Sequence, residues 1–327
     1  MLSTLDPHSE FLSPEQARLQ DETALGRIGG IGIEVEVRDG RIYVAELVEG
    51  GPASRAGVQA GDMITAVDGK PVKGNPLWEA MEGLRGVPGT EVQVTFGAYR
   101  GERAVGSRGQ KPRTLTLVRE YIPVPSVRGE LLEERFGYFR ITHFHVDSSN
   151  ELQAALQTRT EERPGGLDGI ILDLRGNGGG VIGAAIAMAD GFLDEGLLVY
   201  TRGRQANKHL EYFAQEGQWA PGVPVVVLVN GRTASASEIL AGALQDHGRA
   251  VLVGETTFGK ATVQTVLQLR NGSALKLTTA RYYTPDGKSI SETGISPDVP
   301  ASDTRDREGD PDEALEAALD ILRGDRS

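Results

Sequence analysis

The spacing of apolar residues changes partway along the chain, and the change predicts two kinds of structure in one molecule. Between residues 28 and 119 the apolar runs are short, rich in β-branched residues and bounded by glycine turns. Residues 28–37 form one such run, opened by Gly29-Gly30 and closed by Asp39-Gly40, and residues 41–48 follow as its hairpin partner. Further strands are expected at 63–67, 91–99 and 114–119, with short helices at 53–56 and 77–84. The stretch 100–113, rich in Gly, Lys and Arg, reads as a solvated hairpin loop. Pro123 and Pro125 then stiffen the chain, and longer apolar strands begin to alternate with helices. Strands are predicted at 137–142, 167–174, 223–229 and 250–254, and helices at 149–158, 181–192 and 235–244. That alternation is the mark of a layered α/β domain. Strands 263–269 and 273–282 form a hairpin on Asn271-Gly272. A helix starts near Pro14 with Ser13 as its cap, and the last helix, 311–322, is expected to be capped by Asp310 with Glu313 following. The predicted organisation is a mixed α/β, multidomain chain: a lead-in over 1–25, a β-rich module over 26–120, an α/β core over 121–307, and a C-terminal helix and tail over 308–327.

Composition narrows the function. The chain has 327 residues, 39% of them hydrophobic, and a formal net charge of −12. With no basic surplus to displace counterions, a nucleic-acid partner is not expected. There is no cysteine, which excludes disulfides, thiolate metal sites and a cysteine nucleophile. No apolar run is long enough to span a membrane. Residues 1–11 lack the charged and apolar blocks of a signal peptide, so either the protein is cytoplasmic or its natural N-terminus lies upstream.

Two constellations carry chemistry. In the first, Gly29-Gly30-Ile31-Gly32-Ile33 precedes a strand, and Gly57-Val58-Gln59-Ala60-Gly61-Asp62 precedes another. Successive N–H groups of a glycine loop can cradle a peptide C-terminal carboxylate, and the neighbouring strand edge can pair with the peptide. Together with Gly51-Pro52-Ala53-Ser54-Arg55-Ala56-Gly57 and Val67-Asp68-Gly69-Lys70-Pro71-Val72, this string resembles a bacterial-type PDZ domain. The resemblance implies binding of protein C-termini at Gly30, Ile31, Gly32 and Ile33, along strand 31–37 and helix 77–84.

The second constellation concerns a nucleophile. Of the five histidines, His143 and His145 alternate on an expected strand near Asp147, which reads as packing more readily than as a metal site or triad; His247 closes a helix, where a cation suits the dipole. No Gly-x-Ser-x-Gly elbow is present. Ser235 lies in Thr233-Ala234-Ser235-Ala236-Ser237-Glu238, between a buried strand and a helix. Such a serine can be a nucleophile at a strand-to-helix turn or simply a helix cap. Phe258-Gly259-Lys260 follows the next strand, and a lysine whose amine is desolvated can serve as the base a serine needs. Gln264 could orient that amine. Asp173-Leu174-Arg175-Gly176-Asn177-Gly178-Gly179-Gly180 is a strand-to-helix turn whose N–H groups suit an oxyanion, one of them acting with that of Ala236.

These motifs, with Gln245-Asp246, Tyr283-Thr284-Pro285-Asp286-Gly287, Gly294-Ile295-Ser296-Pro297-Asp298-Val299 and the opening Leu5-Asp6-Pro7-His8-Ser9, resemble the carboxyl-terminal processing (tail-specific) proteases. The resemblance implies a PDZ domain followed by a crotonase-like protease core. It also implies Ser235 as nucleophile, Lys260 as general base, Gln264 as its partner, and Ala236 with Gly180 or Gly179 as oxyanion donors. No metal or cofactor is implied. Expected substrates are proteins with unfolded, apolar C-terminal tails, cleaved in the periplasm or cell envelope, with a homodimer or an adaptor protein as the partner class. The alternatives are a catalytically silent PDZ scaffold and an apolar-ligand-binding protein on the same fold. Thr233 stands where many relatives have Ser.

Overall fold

A computed structural model describes residues 5–97, 112–203, 209–304 and 311–324. The chain divides into two units: Arg27–Val124, and Met1–Gly26 together with Pro125–Ser327.

The smaller unit is built on an antiparallel sheet in the order Ile33–Arg38, Arg41–Leu47, Met63–Val67, Glu91–Gly97, Arg113–Val118. Alternate residues of these strands (Ile42, Val44, Ile64, Val92, Val94, Phe96) point inward and close a core with Ile31, Val58 and Leu84. Helix Leu77–Leu84 packs against Met63–Val67 and Glu91–Gly97. Among the described residues Ile33–Arg38 is an outer strand, with a sheet neighbour on one side only. The expected single strand 28–37 is in fact two. Arg27–Gly30 pairs with Glu120–Pro123, and Ile33–Arg38 pairs with Arg41–Leu47. Gly32, at φ +75°, turns the chain between them, a conformation that a side chain would strain. Residues 121–124, expected at the start of the α/β core, thus fall in this unit, which ends at Val124. Most of the expected 100–113 loop lies outside the described residues.

The larger unit holds two sheets. The first runs Val127–Leu132, Phe136–Ile141, Gly169–Asp173, Val225–Val229, Ala250–Gly254, Val299–Pro300; its first pair is antiparallel and the rest are parallel. Gly169–Asp173 and Val225–Val229 are buried at every residue because both faces are covered. Ile170, Leu172, Val225, Val227 and Val229 face one core with helices Ser148–Glu161, Ile182–Asp190 and Ala236–Asp246. Ile171, Val226 and Leu228 face the other with helix Glu313–Arg323. That last helix is capped by Asp312, whose carboxylate accepts the Leu315 N–H; the expected cap, Asp310, lies outside the described residues. The second sheet is antiparallel, ordered Glu10–Leu12, Ala274–Tyr283, Leu197–Gly203, Leu210–Phe213, with Thr262–Gln268 also paired to Ala274–Tyr283. The lead-in therefore belongs to this unit: Ser13 caps helix Pro14–Ala24 in a capping box with Gln16, and Glu10–Leu12 joins the sheet. Among the described residues no helix is long and apolar enough to cross a membrane.

Candidate active site

Ser235 sits where strand Val225–Val229 has ended and helix Ala236–Asp246 begins, at φ +58°. A non-glycine residue in that region is held there by its surroundings. The restraint is a carboxylate. Glu238, fully buried, accepts the Ser235 N–H at 2.8 Å and the Lys260 N–H at 3.0 Å on one oxygen. Its other oxygen accepts the Gly259 N–H at 2.7 Å and the Thr257 hydroxyl at 2.6 Å. A single side chain thus fixes the backbone of the serine and of the lysine, which lie on separate loops.

The glycine turn is stitched to the same place. Asn177 donates its amide to Ile141 O and accepts the Gly179 N–H at 2.9 Å, while its own carbonyl accepts the Ala234 N–H and the Ser237 hydroxyl. Thr233, buried, donates to Leu174 O at 2.9 Å and receives the Asn230 N–H, and Asn230 in turn takes the Gly176 N–H. The hydroxyl is what position 233 requires, and Thr supplies it as Ser would. Gly179 lies against Ser235: an added Cβ would stand 2.8 Å from the Ser235 Cβ and 3.0 Å from the Ala236 nitrogen. The Gly179 N–H is committed to Asn177, whereas the N–H groups of Gly180 and Ala236 have no acceptor among the described residues. Two unclaimed N–H groups beside a serine can receive a developing oxyanion.

Beneath the turn lies a buried ion pair. Asp173 and Arg175 are both fully buried and joined at 2.8 and 3.0 Å, and Arg175 reaches Asp312 at 2.6 Å. Burial alone would push the Asp173 carboxyl up, but the Arg175 guanidinium outweighs it and holds the group below its usual value. The pair anchors the start of the glycine turn to the C-terminal helix.

Lys260 is different. Its side chain is half-buried, and among the described residues its amine makes no hydrogen bond, either to Ser235 or to Gln264. Burial lowers its pKa, and the neighbouring Lys276 lowers it further, against smaller opposite pulls from Glu10 and Glu238. A depressed amine pKa is what a lysine base requires. Gln264 instead donates its amide nitrogen to His8 O at 2.7 Å.

Two contributors escaped the sequence reading. Glu238 stood in the sequence only as the end of the Thr233–Glu238 motif, and its bonds to Thr257, Gly259 and Lys260 have no local signal. Tyr282, 1% exposed, donates its hydroxyl to Lys260 O and stands beside the Ser235 side chain and Glu238. Burial and then the Glu238 charge keep its phenol well above its ordinary pKa, so it remains a donor. His143 and His145 lie beyond the strand expected to carry them, flanking Phe144, which bridges to Gly180. His145 is buried 3.3 Å from Glu151.

In the smaller unit, Gly30 ends a paired strand, while Ile31 and Gly32 stand between the two strands. The carbonyls of Ile31 and Gly32 accept from Ala53 and Val48, and their N–H groups have no acceptor among the described residues. Ile33 opens the outer strand of the sheet.

Comparison with known proteins agrees with both regions. The profile of peptidase family S41 matches residues 135–301, and that of the PDZ domain matches residues 20–96. The chain is 41% identical over 300 residues to a carboxy-terminal-processing protease of Bartonella bacilliformis, covering 91% of this chain and 67% of that one. It is 39% identical over 302 residues to the carboxy-terminal processing protease CtpA of Bacillus subtilis, covering 92% and 62%. This chain therefore spans about two thirds of the length of these relatives. Among solved structures, a photosystem II D1 C-terminal processing protease is similar at 34% identity and a TM-score of 0.54, over 97% of this chain and 82% of that one.

Proposed function

Because the chain belongs to peptidase family S41, as one of its carboxyl-terminal processing serine peptidases, we propose that it grips the C-terminus of a protein in its PDZ unit and cleaves the tail with Ser235 and Lys260. The observation that carries this reading is the shared carboxylate: one oxygen of Glu238 receives the main-chain N–H of both residues. Nucleophile and base are thereby kept in register.

In this reading neutral Lys260 takes the proton from Ser235 Oγ as the oxygen attacks the scissile carbonyl carbon. The negative charge that develops on the carbonyl oxygen falls to the N–H groups of Ala236 and Gly180. Collapse of the tetrahedral intermediate breaks the C–N bond, and the lysine ammonium returns its proton to the leaving amine. The acyl group is then an ester of Ser235. Water, deprotonated by Lys260, attacks it and regenerates the hydroxyl. Catalytic hydrogen bonds commonly tighten only when substrate is present, and the unbonded amine of Lys260 fits that pattern.

Tail recognition is supported by the N–H groups of Ile31 and Gly32, which suit a terminal carboxylate, and by the outer strand Ile33–Arg38, whose edge is open among the described residues and suits an extended peptide. We expect unfolded substrates with apolar C-terminal residues, processed in the cell envelope.

The test is cleavage of an unfolded protein with an apolar C-terminal tail by wild type, Ser235→Ala and Lys260→Ala. Each variant is expected to lose about 10⁴-fold in kcat while keeping its fold by circular dichroism. Cleavage by Ser235→Ala at the wild-type rate would end the mechanism.

A further inference from the structure

Gln264 is held from an unexpected quarter: its amide nitrogen donates to the main-chain carbonyl of His8, 256 positions upstream. That carbonyl is itself fixed. Asp6 accepts the N–H groups of His8 at 2.8 Å and Ser9 at 2.9 Å, together with the hydroxyls of Ser9 and Thr278. Ser9 Oγ then receives the Thr278 N–H at 3.1 Å. Immediately afterwards Glu10–Leu12 pairs with Ala274–Tyr283, placing Glu10 opposite Lys276 with an ion pair of 3.1 Å. Gln264 lies at an irregularity in the pairing of Thr262–Gln268 with that same long strand, the kind of bulge that re-aims a side chain.

We propose that residues 6–12 form a strap whose work is to position Gln264 for Lys260. A glutamine amide has a donor end and an acceptor end, and without a fixed partner it can present either. With the nitrogen committed to His8 O, the oxygen is the end left for Lys260, where it can accept from the ammonium formed when Ser235 gives up its proton. The strap also brings Glu10, which pairs with Lys276, the cation acting most strongly on the Lys260 amine. Asp6 is a positioning residue here, acting through His8 and Gln264 on the base. The inference rests on the Ser235/Lys260 reading.

A double-mutant cycle in the full chain tests it, using the same unfolded protein substrate. Asp6→Ala is expected to lower kcat about tenfold with little change in KM, as a misplaced catalytic partner does. Gln264→Ala should do at least as much. The double variant should be no slower than Gln264→Ala alone, and the acidic limb of its pH profile should coincide with that of Gln264→Ala. Independent, multiplying losses in the double variant, or an unchanged kcat in Asp6→Ala, would overturn the strap. If Asp6→Ala does not fold by circular dichroism, Ser9→Ala takes its place in the cycle with the same expectations. Ser235→Ala separates the two ideas: persistent cleavage there sinks the Ser/Lys reading, whereas an inactive Ser235→Ala with an additive cycle sinks the strap alone.

Discussion

The two halves of the proposed catalytic site are built on different principles. On the nucleophile side, Asp173, Arg175, Asn177, Thr233, Ser237 and Glu238 are all fully buried, and each is hydrogen-bonded to the glycine turn or to the Ser235 loop. The strained backbone of Ser235 persists because these bonds leave it no alternative. On the base side, the main chain of Lys260 is clamped by Glu238 and Tyr282, yet its amine is half-buried and held by no hydrogen bond among the described residues. Gln264, its proposed supporting partner, is bonded to the main chain of His8. The difference has a chemical reason. An oxyanion hole works by being in place before charge develops, so rigidity there is an advantage. A general base must change protonation and partner twice per turnover, and freedom at its tip allows that.

The rigid half should be the less tolerant. Gly180 lies at φ +141°, and a Cβ added there would stand 2.1 Å from Phe144 O, too close for any side chain. Gly180→Ala must therefore displace the turn and with it the N–H assigned to the oxyanion. A loss of about 10²–10³-fold in kcat is expected, with KM little changed. If Gly180→Ala keeps full kcat, the oxyanion donors lie elsewhere and the serine side is no more rigid than the lysine side.

The tunable half should respond to charge. With Lys260 as the proposed base, activity needs the neutral amine, and kcat/KM is expected to rise with pH through its pKa. Three charged groups act on it: Lys276 lowers that pKa, and Glu10 and Glu238 raise it. Removing the positive neighbour by Lys276→Met should raise the pKa, move the rising limb to higher pH and cost activity severalfold near neutrality. Replacing the negative one by Glu10→Gln should move the limb the opposite way. A pH–rate profile of each variant reads the sign directly, and limbs that stay in place would remove Lys260 as the titrating base.

How much of this was legible beforehand depended on whether the signal was local. Ser235, Lys260 and the glycine turn announce themselves because each occupies a strand-to-loop junction with its own residue pattern, and the alternating strands and helices of the larger unit follow from apolar runs. Strand Leu210–Phe213 went unread because every residue in it is exposed and no alternation marks it. Glu10–Leu12 is three residues long, too short for a period. The break at Gly32 is hidden because β-branched residues continue on both sides, and only the backbone angle shows that two strands with different partners meet there. The tie between Gln264 and His8 could not be read at all, since its acceptor is a main-chain carbonyl that any residue would supply.

Tyr282 joins the two halves, and it offers the finest test of whether they are separate. Its hydroxyl donates to the carbonyl of Lys260 while standing beside the side chain of Ser235. Tyr282→Phe keeps the ring in the core and removes only that donor, leaving the Lys260 carbonyl short of a partner at a cost of about 1–3 kcal/mol. For a unit of this size the melting temperature should fall by about 2–4 °C per kcal/mol. If rigidity resides in the nucleophile side, Glu238 still holds both backbones, and kcat should drop only severalfold. A loss as large as that of Gly180→Ala would mean that the lysine loop is as tightly specified as the serine turn, with its backbone, and not merely its amine, setting the rate. Measuring kcat and melting temperature together decides the matter, because a purely structural hydroxyl would lower the second and spare the first.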